Sequence, residues 1–303
     1  MKITASTAIL DRLAREHRHV LSDWRALILL RRATFEIPPE QRRWSNLPSH
    51  PSDLSALFRQ MQERGEIAPS KDSRNLYEVT VPYANLGFID DREVLFELNP
   101  FAVLSHLTAL TIHGLTDDLP KRTFISTPTK ISDIAIPIGT RVEDWGEITL
   151  PPGRTPEKVL GRKVVWTRVQ PERCFGYIEQ APFGYPIRLT SLERTLVDAT
   201  QAPELSGGVE NVLRAWVRAR DNIDVVALLE LVGQMNVAVL RQRVGYILES
   251  LQINHSILES WQEHAHRGGS SRLVGSRPFS STFDERWNIS LNAPVDVLFD
   301  EAA

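Results

Sequence analysis

The sequence has almost no cysteine: Cys174 is the one thiol in 303 residues. A single cysteine cannot close an internal disulfide or furnish a cysteine-rich zinc site, so a reducing, cytoplasmic setting is expected. Long apolar runs are also missing. The longest stretches, such as 27–30 and 225–229, are far too short to span a bilayer. Residues 1–10 hold one lysine and no apolar stretch of signal-peptide type, so no secretory leader is expected there. There is no glycine-rich loop ending in Gly-Lys-Ser/Thr, no Gly-x-Ser-x-Gly elbow and no His-Glu-x-x-His, which leaves P-loop, serine-hydrolase and zincin chemistry without their carriers. Internal repeats and low-complexity blocks are absent too.

What is present is ordinary globular composition, 42% hydrophobic and 24% charged. The length suits two domains. Net charge is −3, which taken alone argues against a nucleic-acid partner, but the charge is unevenly spread. Residues 1–85 carry 13 Lys and Arg against 10 Asp and Glu; the remainder carries 22 against 28. The basic excess falls where a helix-turn-helix pattern falls.

That pattern begins with Ser6 as an N-cap and Ile9, Leu10, Leu13, His17 and Val20 at helical spacing. Ser22 reads as a second cap, ahead of Trp24, Leu27, Ile28 and Leu30. Residues 37–51 are rich in proline and turn formers, with a brief helix at 39–44. A third helix is predicted over 52–64, with Pro51 in its first turn and Gly65 as its stop. Its Leu54, Leu57, Phe58 and Met61 form one apolar stripe, so Ser52, Ser55, Ala56, Arg59, Gln62 and Glu63 face outward. Strands at 66–69 and 76–81 around the polar turn 70–75 make a hairpin.

Helix, glycine stop and hairpin in succession predict a winged helix-turn-helix at 1–85. On this reading Ser52, Ser55, Arg59 and Gln62 face base edges, because Arg pairs with guanine, Gln with adenine and Ser with either. Lys71 and Arg74 on the wing, with Arg42 and Arg43 ahead of the third helix, would meet phosphates. The plainer reading is a three-helix module whose Arg and Gln are solvated face residues; the ordered succession of features favours DNA.

Residues 82–92 read as a connection to a larger mixed α/β (α+β) domain at 92–303 with a helical C-terminal subregion. Strands are predicted at 94–98, 122–126, 131–138, 147–150, 163–168 and 185–189. Helices are predicted at 105–113, 190–200, 207–220, 223–233 and 238–251. From 254 onward the pattern is less regular, with one strand at 287–291.

Four segments of this domain carry a resemblance. Ser105-His106-Leu107-Thr108-Ala109-Leu110-Thr111-Ile112-His113-Gly114-Leu115 and Ile187-Arg188-Leu189-Thr190-Ser191-Leu192-Glu193-Arg194-Thr195-Leu196-Val197-Asp198 resemble signature segments of AbiEi-type antitoxins, the regulators of type IV toxin–antitoxin pairs. Ser206-Gly207-Gly208-Val209 and Arg243-Val244-Gly245-Tyr246-Ile247-Leu248-Glu249 are similar to the later segments of that family. The resemblance implies an autorepressor that binds inverted repeats in double-stranded promoter DNA. It implies a functional partner, a nucleotidyltransferase-like toxin, antagonised through the second domain without need of a stable complex, in a phage-defence operon. The same residues have fold-specifying readings: Thr190 and Glu193 as a capping box, Gly114 as a helix C-terminal stop, and His113 at a negative helix end.

Catalytic constellations are thin. Gly275-Ser276 is followed by Asp284-Glu285-Arg286, which lacks the second carboxylate of a nucleotidyltransferase metal site. His255, Glu263, His264 and His266 could bind a metal but read more simply as a polar loop. Glu193, Asp198 and His113 could be assembled into a nuclease set, and once capping and helix-end roles are assigned only Asp198 lacks an explanation. No catalytic residue, metal or cofactor is therefore expected; the competing reading is a metal-dependent nuclease targeted by the winged helix.

Overall fold

The computed structural model describes residues 2–81, 88–131, 136–265 and 269–299. Part of the expected connection (82–87), part of the expected strand 131–138 (132–135) and His266 lie outside the described residues. The chain divides into two compact units, one of residues 1–102, 127–171 and 179–188, the other of 103–126, 172–178 and 189–303. This division does not fall at 85–92: the N-terminal module shares its unit with later segments.

In the first unit, α1 (Ala5–Arg15) is capped by Thr4, whose side chain accepts the Thr7 N–H, rather than by Ser6. The helix stops more than a turn short of the expected end. His17 takes a left-handed φ of 51°, and the Arg18 N–H closes on the Leu13 carbonyl at 2.9 Å. Val20, spaced as a helix residue, instead opens β1 (Val20–Ser22). Ser22 caps α2 (Asp23–Glu36) as expected. Pro51 opens a 3-10 turn that leads into α3 (Ser55–Glu63), and Gly65 comes after it at φ 66°. The wing is β2 (Ile67–Pro69) and β3 (Leu76–Val79), and the sheet order is β1-β3-β2, all antiparallel. The predicted stripe is buried: Leu54, Phe58 and Met61 pack with Ile9, Leu13, Leu27, Leu30, Ile67 and Val79, with Leu57 at the margin. Helix, strand, two helices and a two-stranded wing constitute a winged helix-turn-helix-like unit.

The expected strand at 94–98 is a helix, α4 (Asp91–Leu98), started by the Asp90 side chain on the Arg92 N–H. A short run buried on all sides has no readable period. What decides it is the i, i+4 pair Glu93 and Glu97, which a helix puts on one face. Glu93 accepts the N–H groups of His19 (2.6 Å) and Val20 (3.1 Å) along the outer edge of β1. Glu97 accepts Arg18 Nη1 at 3.0 Å, Arg25 Nε at 2.9 Å and the Ser22 hydroxyl, all buried. Burial, then repulsion from Arg18, pushes the Arg25 guanidinium down to about 10 in spite of Glu97.

In the second unit, β4 (Val103–Leu104) pairs antiparallel with β5 (Arg122–Pro128). Between them runs α5 (His106–Ile112), and Gly114 stands beyond its end with φ 70°, the stop expected of it. The first unit resumes with α6 (Val142–Trp145), whose Trp145 stacks on Trp24 with ring centroids 6.1 Å apart. Residues 147–150, expected as a strand, are irregular; Ile148 and Leu150 pack on Trp24, Ile28 and Trp145 instead. β6 (Lys158–Val159) and β7 (Arg162–Val169) form a hairpin through a two-residue turn, Leu160 at φ 47° and Gly161 at φ 79°. β8 (Tyr177–Gln180) and β9 (Ile187–Thr190) complete the larger sheet, β9 running parallel to β4 at Leu104↔Leu189. β5, β8 and β9 each contribute residues to both units.

The remaining predicted helices of the second unit appear as α7 (Leu192–Gln201), α8 (Val209–Ala219), α9 (Val225–Met235) and α10 (Ala238–Ser250). The cap of α7 sits one residue later than expected. Ser191 accepts the Arg194 N–H, because Thr190 is still the last residue of β9, its hydroxyl hydrogen-bonded to Thr195. The irregular tail contains a helix, α11 (Ser256–Ala265), and three short strands, β10 (Ser271–Arg272), β11 (Phe283–Asp284) and β12 (Ile289–Ser290), in the order β10-β12-β11. Trp287, fully buried, lies over Gly245 of α10 so closely that a Cβ there would stand 2.1 Å from the ring, and its Nε1 donates to Glu249 at 2.6 Å.

Unfolding in urea tests two of these contacts. Glu97→Gln leaves the buried Arg25 guanidinium without its carboxylate and Arg18 with Glu16 alone, and should lose about 3 kcal/mol of stability. Gly245→Ala forces the Trp287 ring out of its seat and should lose about 2 kcal/mol by the same measurement, with weakened Trp near-UV dichroism. Wild-type midpoints in either variant would contradict the corresponding packing.

Candidate nucleic-acid interface

α3 is fastened inward by its apolar stripe, so its other face is presented outward by necessity. Ser52, Ser55 and Arg59 are exposed and Gln62 is half-buried. These four line one groove of about 360 Å³, together with Asp23, Pro51, Phe58, Asn75 and Tyr77. Two of its lining side chains, Phe58 and Tyr77, are stacked with ring centroids 4.7 Å apart. Burial, and the charge of Asp23, push the Tyr77 hydroxyl above its ordinary pKa. Asn75 ties the wing to the start of α2 by donating to Asp23 at 2.9 Å.

Lys71 and Arg74 are exposed on the wing turn. That turn is held from outside the hairpin as well as within it. Arg154 Nη1 donates to the Ser73 hydroxyl at 2.6 Å, and the Leu160 N–H donates to Asp72 Oδ1 at 3.2 Å. Arg42 and Arg43 do not line the groove. Both belong to a backbone bridge with Ile3, in which the Arg43 N–H bonds the Ile3 carbonyl at 2.9 Å. Arg43 is exposed, whereas Arg42 is half-buried beside the Trp44 ring, 5.7 Å from its centroid.

Sequence reasoning missed Asp23, Asn75 and Tyr77. They reach the groove through the pairing of β1 with β3, a non-local contact that α3's own periodicity does not announce. Asp23 matters most, since it sets a carboxylate in the groove that Arg59 also lines. Burial holds its carboxyl above the usual aspartate range, against the pull of the Trp24 N–H, Arg154 and Asn75.

The residues weighed for catalysis have structural partners. Asp198 is buried and paired with Arg194 Nε at 2.8 Å, and Arg194 Nη1 also donates to the carbonyls of Arg173 and Phe175. Glu193 accepts from the Ser191 hydroxyl and the Asp224 N–H. His113 Nε2 stands 2.8 Å from the Thr190 carbonyl. His264 Nδ1 lies 2.7 Å from the Ser260 carbonyl, and Asp284 accepts the Trp287 N–H at 2.8 Å. Among the described residues no group of three His, Cys, Asp or Glu is placed to hold a metal ion. No helix among them is long and apolar enough to cross a membrane.

No family model and no curated protein matches the chain. It is similar to a solved structure, the "Crystal structure of RV2827C protein from Mycobacterium tuberculosis", with a TM-score of 0.50 and 14% identity over 97% of this chain and 93% of that one. At that identity the likeness is one of fold. The winged helix-turn-helix-like unit is consistent with DNA binding.

The position of Asp23 sets a pH dependence. Its proton is taken up at a higher pH than a free aspartate would allow, so the groove loses a negative charge early as the pH falls. Duplex binding should therefore strengthen as the pH is lowered, starting above the pH at which a free aspartate takes up its proton. Asp23→Asn should bind duplex about threefold more tightly at pH 7, on the order of 0.7 kcal/mol, and show a shallower pH response by fluorescence anisotropy. Equal affinities for variant and wild type would show that Asp23 does not face the bound polyanion.

Proposed function

We propose that the chain is a cytoplasmic DNA-binding regulator that represses its own operon and serves as the antitoxin of a type IV, AbiE-like pair, antagonising a nucleotidyltransferase-like toxin. The observation that carries the DNA-binding part is the gathering of Ser52, Ser55, Arg59 and Gln62 into one groove flanked by the wing. Arg59 and Gln62 have the bidentate donors and acceptors that read guanine and adenine edges, while Lys71 and Arg74 supply charge for phosphates. The antitoxin part is supported by the resemblance of residues 105–115 and 187–198 to AbiEi segments and rests on that alone. The commitment of Asp198 to Arg194 supports a regulator over a nuclease.

The test is binding of the full chain to a duplex from its own promoter and to a scrambled duplex at one fixed salt concentration. Arg59→Ala should lower the operator-to-scrambled ratio roughly 5- to 100-fold, the loss of a bidentate base contact worth about 1–3 kcal/mol. Arg74→Ala should weaken both duplexes alike. An unchanged ratio in Arg59→Ala would place sequence reading elsewhere than on α3. Co-expression with the neighbouring toxin gene, each under a foreign promoter, should restore growth; persistent toxicity would remove the antitoxin assignment. Magnesium-dependent nicking of plasmid by the purified chain would favour the nuclease reading instead.

A further inference from the structure

The hairpin β6–β7 is built in a way its own stability does not explain. Lys158 and Lys163 stand directly opposite each other across the two strands. Opposed residues of an antiparallel pair project to the same face, and like charges placed so repel. Both lysines are exposed, and among the described residues neither has an ion pair. The turn between them, Leu160–Gly161, has positive φ at both positions, as a two-residue turn of this hand requires, so the tip is short and fixed rather than a loose loop.

This tip is attached to the wing. The Leu160 N–H reaches Asp72, and the segment leading into β6 places Arg154 on Ser73, so both hydrogen bonds end on the turn that carries Lys71 and Arg74. The surface is continuous with the groove: Asp23 and Asn75, which line the groove beside α3, also line the neighbouring hollow with Ser73, Pro151 and Arg154. The two hairpin turns are thus joined by hydrogen bonds, and together with Arg154 they carry the exposed Lys71, Arg74, Lys158 and Lys163.

We infer that the β6–β7 hairpin is a second wing, whose Lys158 and Lys163 bind the phosphate backbone of duplex DNA beyond the stretch covered by α3 and the first wing. The inference rests on the DNA-binding role proposed for α3 and extends it. A phosphate between the two ammonium groups turns their mutual repulsion into attraction to a shared anion. The second wing reads no bases, since lysine on a backbone carries no sequence information directly. It lengthens the footprint and adds to the salt dependence.

The experiment uses the full chain with Lys158→Gln and Lys163→Gln together, and separately Lys158→Glu and Lys163→Glu. Promoter and scrambled duplexes are titrated by anisotropy from roughly 50 to 200 mM salt. Losing two phosphate contacts should reduce the magnitude of the log–log salt slope by about 2 and weaken binding to both duplexes about tenfold at the low-salt end. The operator-to-scrambled ratio should not change, and the glutamate pair should weaken binding further. Both side chains are exposed, so thermal melting should be unchanged or slightly raised, and a melt that collapses redirects the test to the single substitutions, each expected to remove about 1 from the slope. If the double variants keep the wild-type slope and affinity while Arg74→Ala loses them, the winged helix binds DNA and the second wing does not. If the wild-type chain binds neither duplex, the DNA-binding role falls and the second wing falls with it.

Discussion

The Glu97 carboxylate gathers Arg18, Arg25 and Ser22 in a place water does not reach, and Trp24 donates to the backbone carbonyl of the same residue at 2.9 Å. Removing two guanidinium groups and a carboxylate from water is expensive, and the hydrogen bonds to Glu97, Glu16 and the Ile138 carbonyl offset that cost. The return is positional. Ser22 takes part twice, donating its hydroxyl to Glu97 and accepting the Arg25 N–H as the cap of α2. The start of α2 is thereby fixed, and with it Asp23, to which Asn75 of the wing is tied. The shape of the groove beside α3 descends through this chain of contacts from a residue that lies outside the helix-turn-helix.

That dependence explains what the sequence disclosed and what it concealed. The stripe of Leu54, Phe58 and Met61 and the stop at Gly65 are local facts, repeating every three or four residues, and from them the outward face of α3 can be read. Glu93 and Glu97 were not legible, because their partners stand more than seventy residues away and their neighbours Val94, Leu95 and Phe96 are buried whatever the backbone does. Two acids four apart inside an apolar run were the available sign of a helix. Val20 misled in the opposite sense, fitting the period of α1 until the left-handed turn at His17 reset it. Thr190 and Ser191 are both competent caps, and only the extent of β9 chooses between them. Lys71 and Arg74 could be placed on a turn from sequence alone, whereas the half-burial of Arg42 beside Trp44 depends on a bridge to Ile3 at the other end of the module.

The same contrast runs through the second unit. Its helices were legible because each carries an apolar face, and Trp216, Leu213 and Val212 of α8 pack into one core with α7, α9 and α10. In the tail, β12 falls within the strand expected at 287–291, while β10 and β11, two residues long, are too short to show alternation.

The seat of Trp287 on Gly245 has a bearing on how the chain is made. The indole arrives at the ribosome exit forty-two residues after the glycine it covers, when the helices of that core have already been synthesised. Until then the place beside Gly245 that the Trp287 ring fills in the finished protein has no occupant from this segment. Such an unfinished surface is what chaperones bind and what sticks to its neighbours. Synthesis through Trp287 lets the indole take its seat on Gly245, and Leu298, which packs into the same core, follows eleven residues later, so a slow codon or an early stop ahead of Trp287 would prolong the exposure or make it permanent.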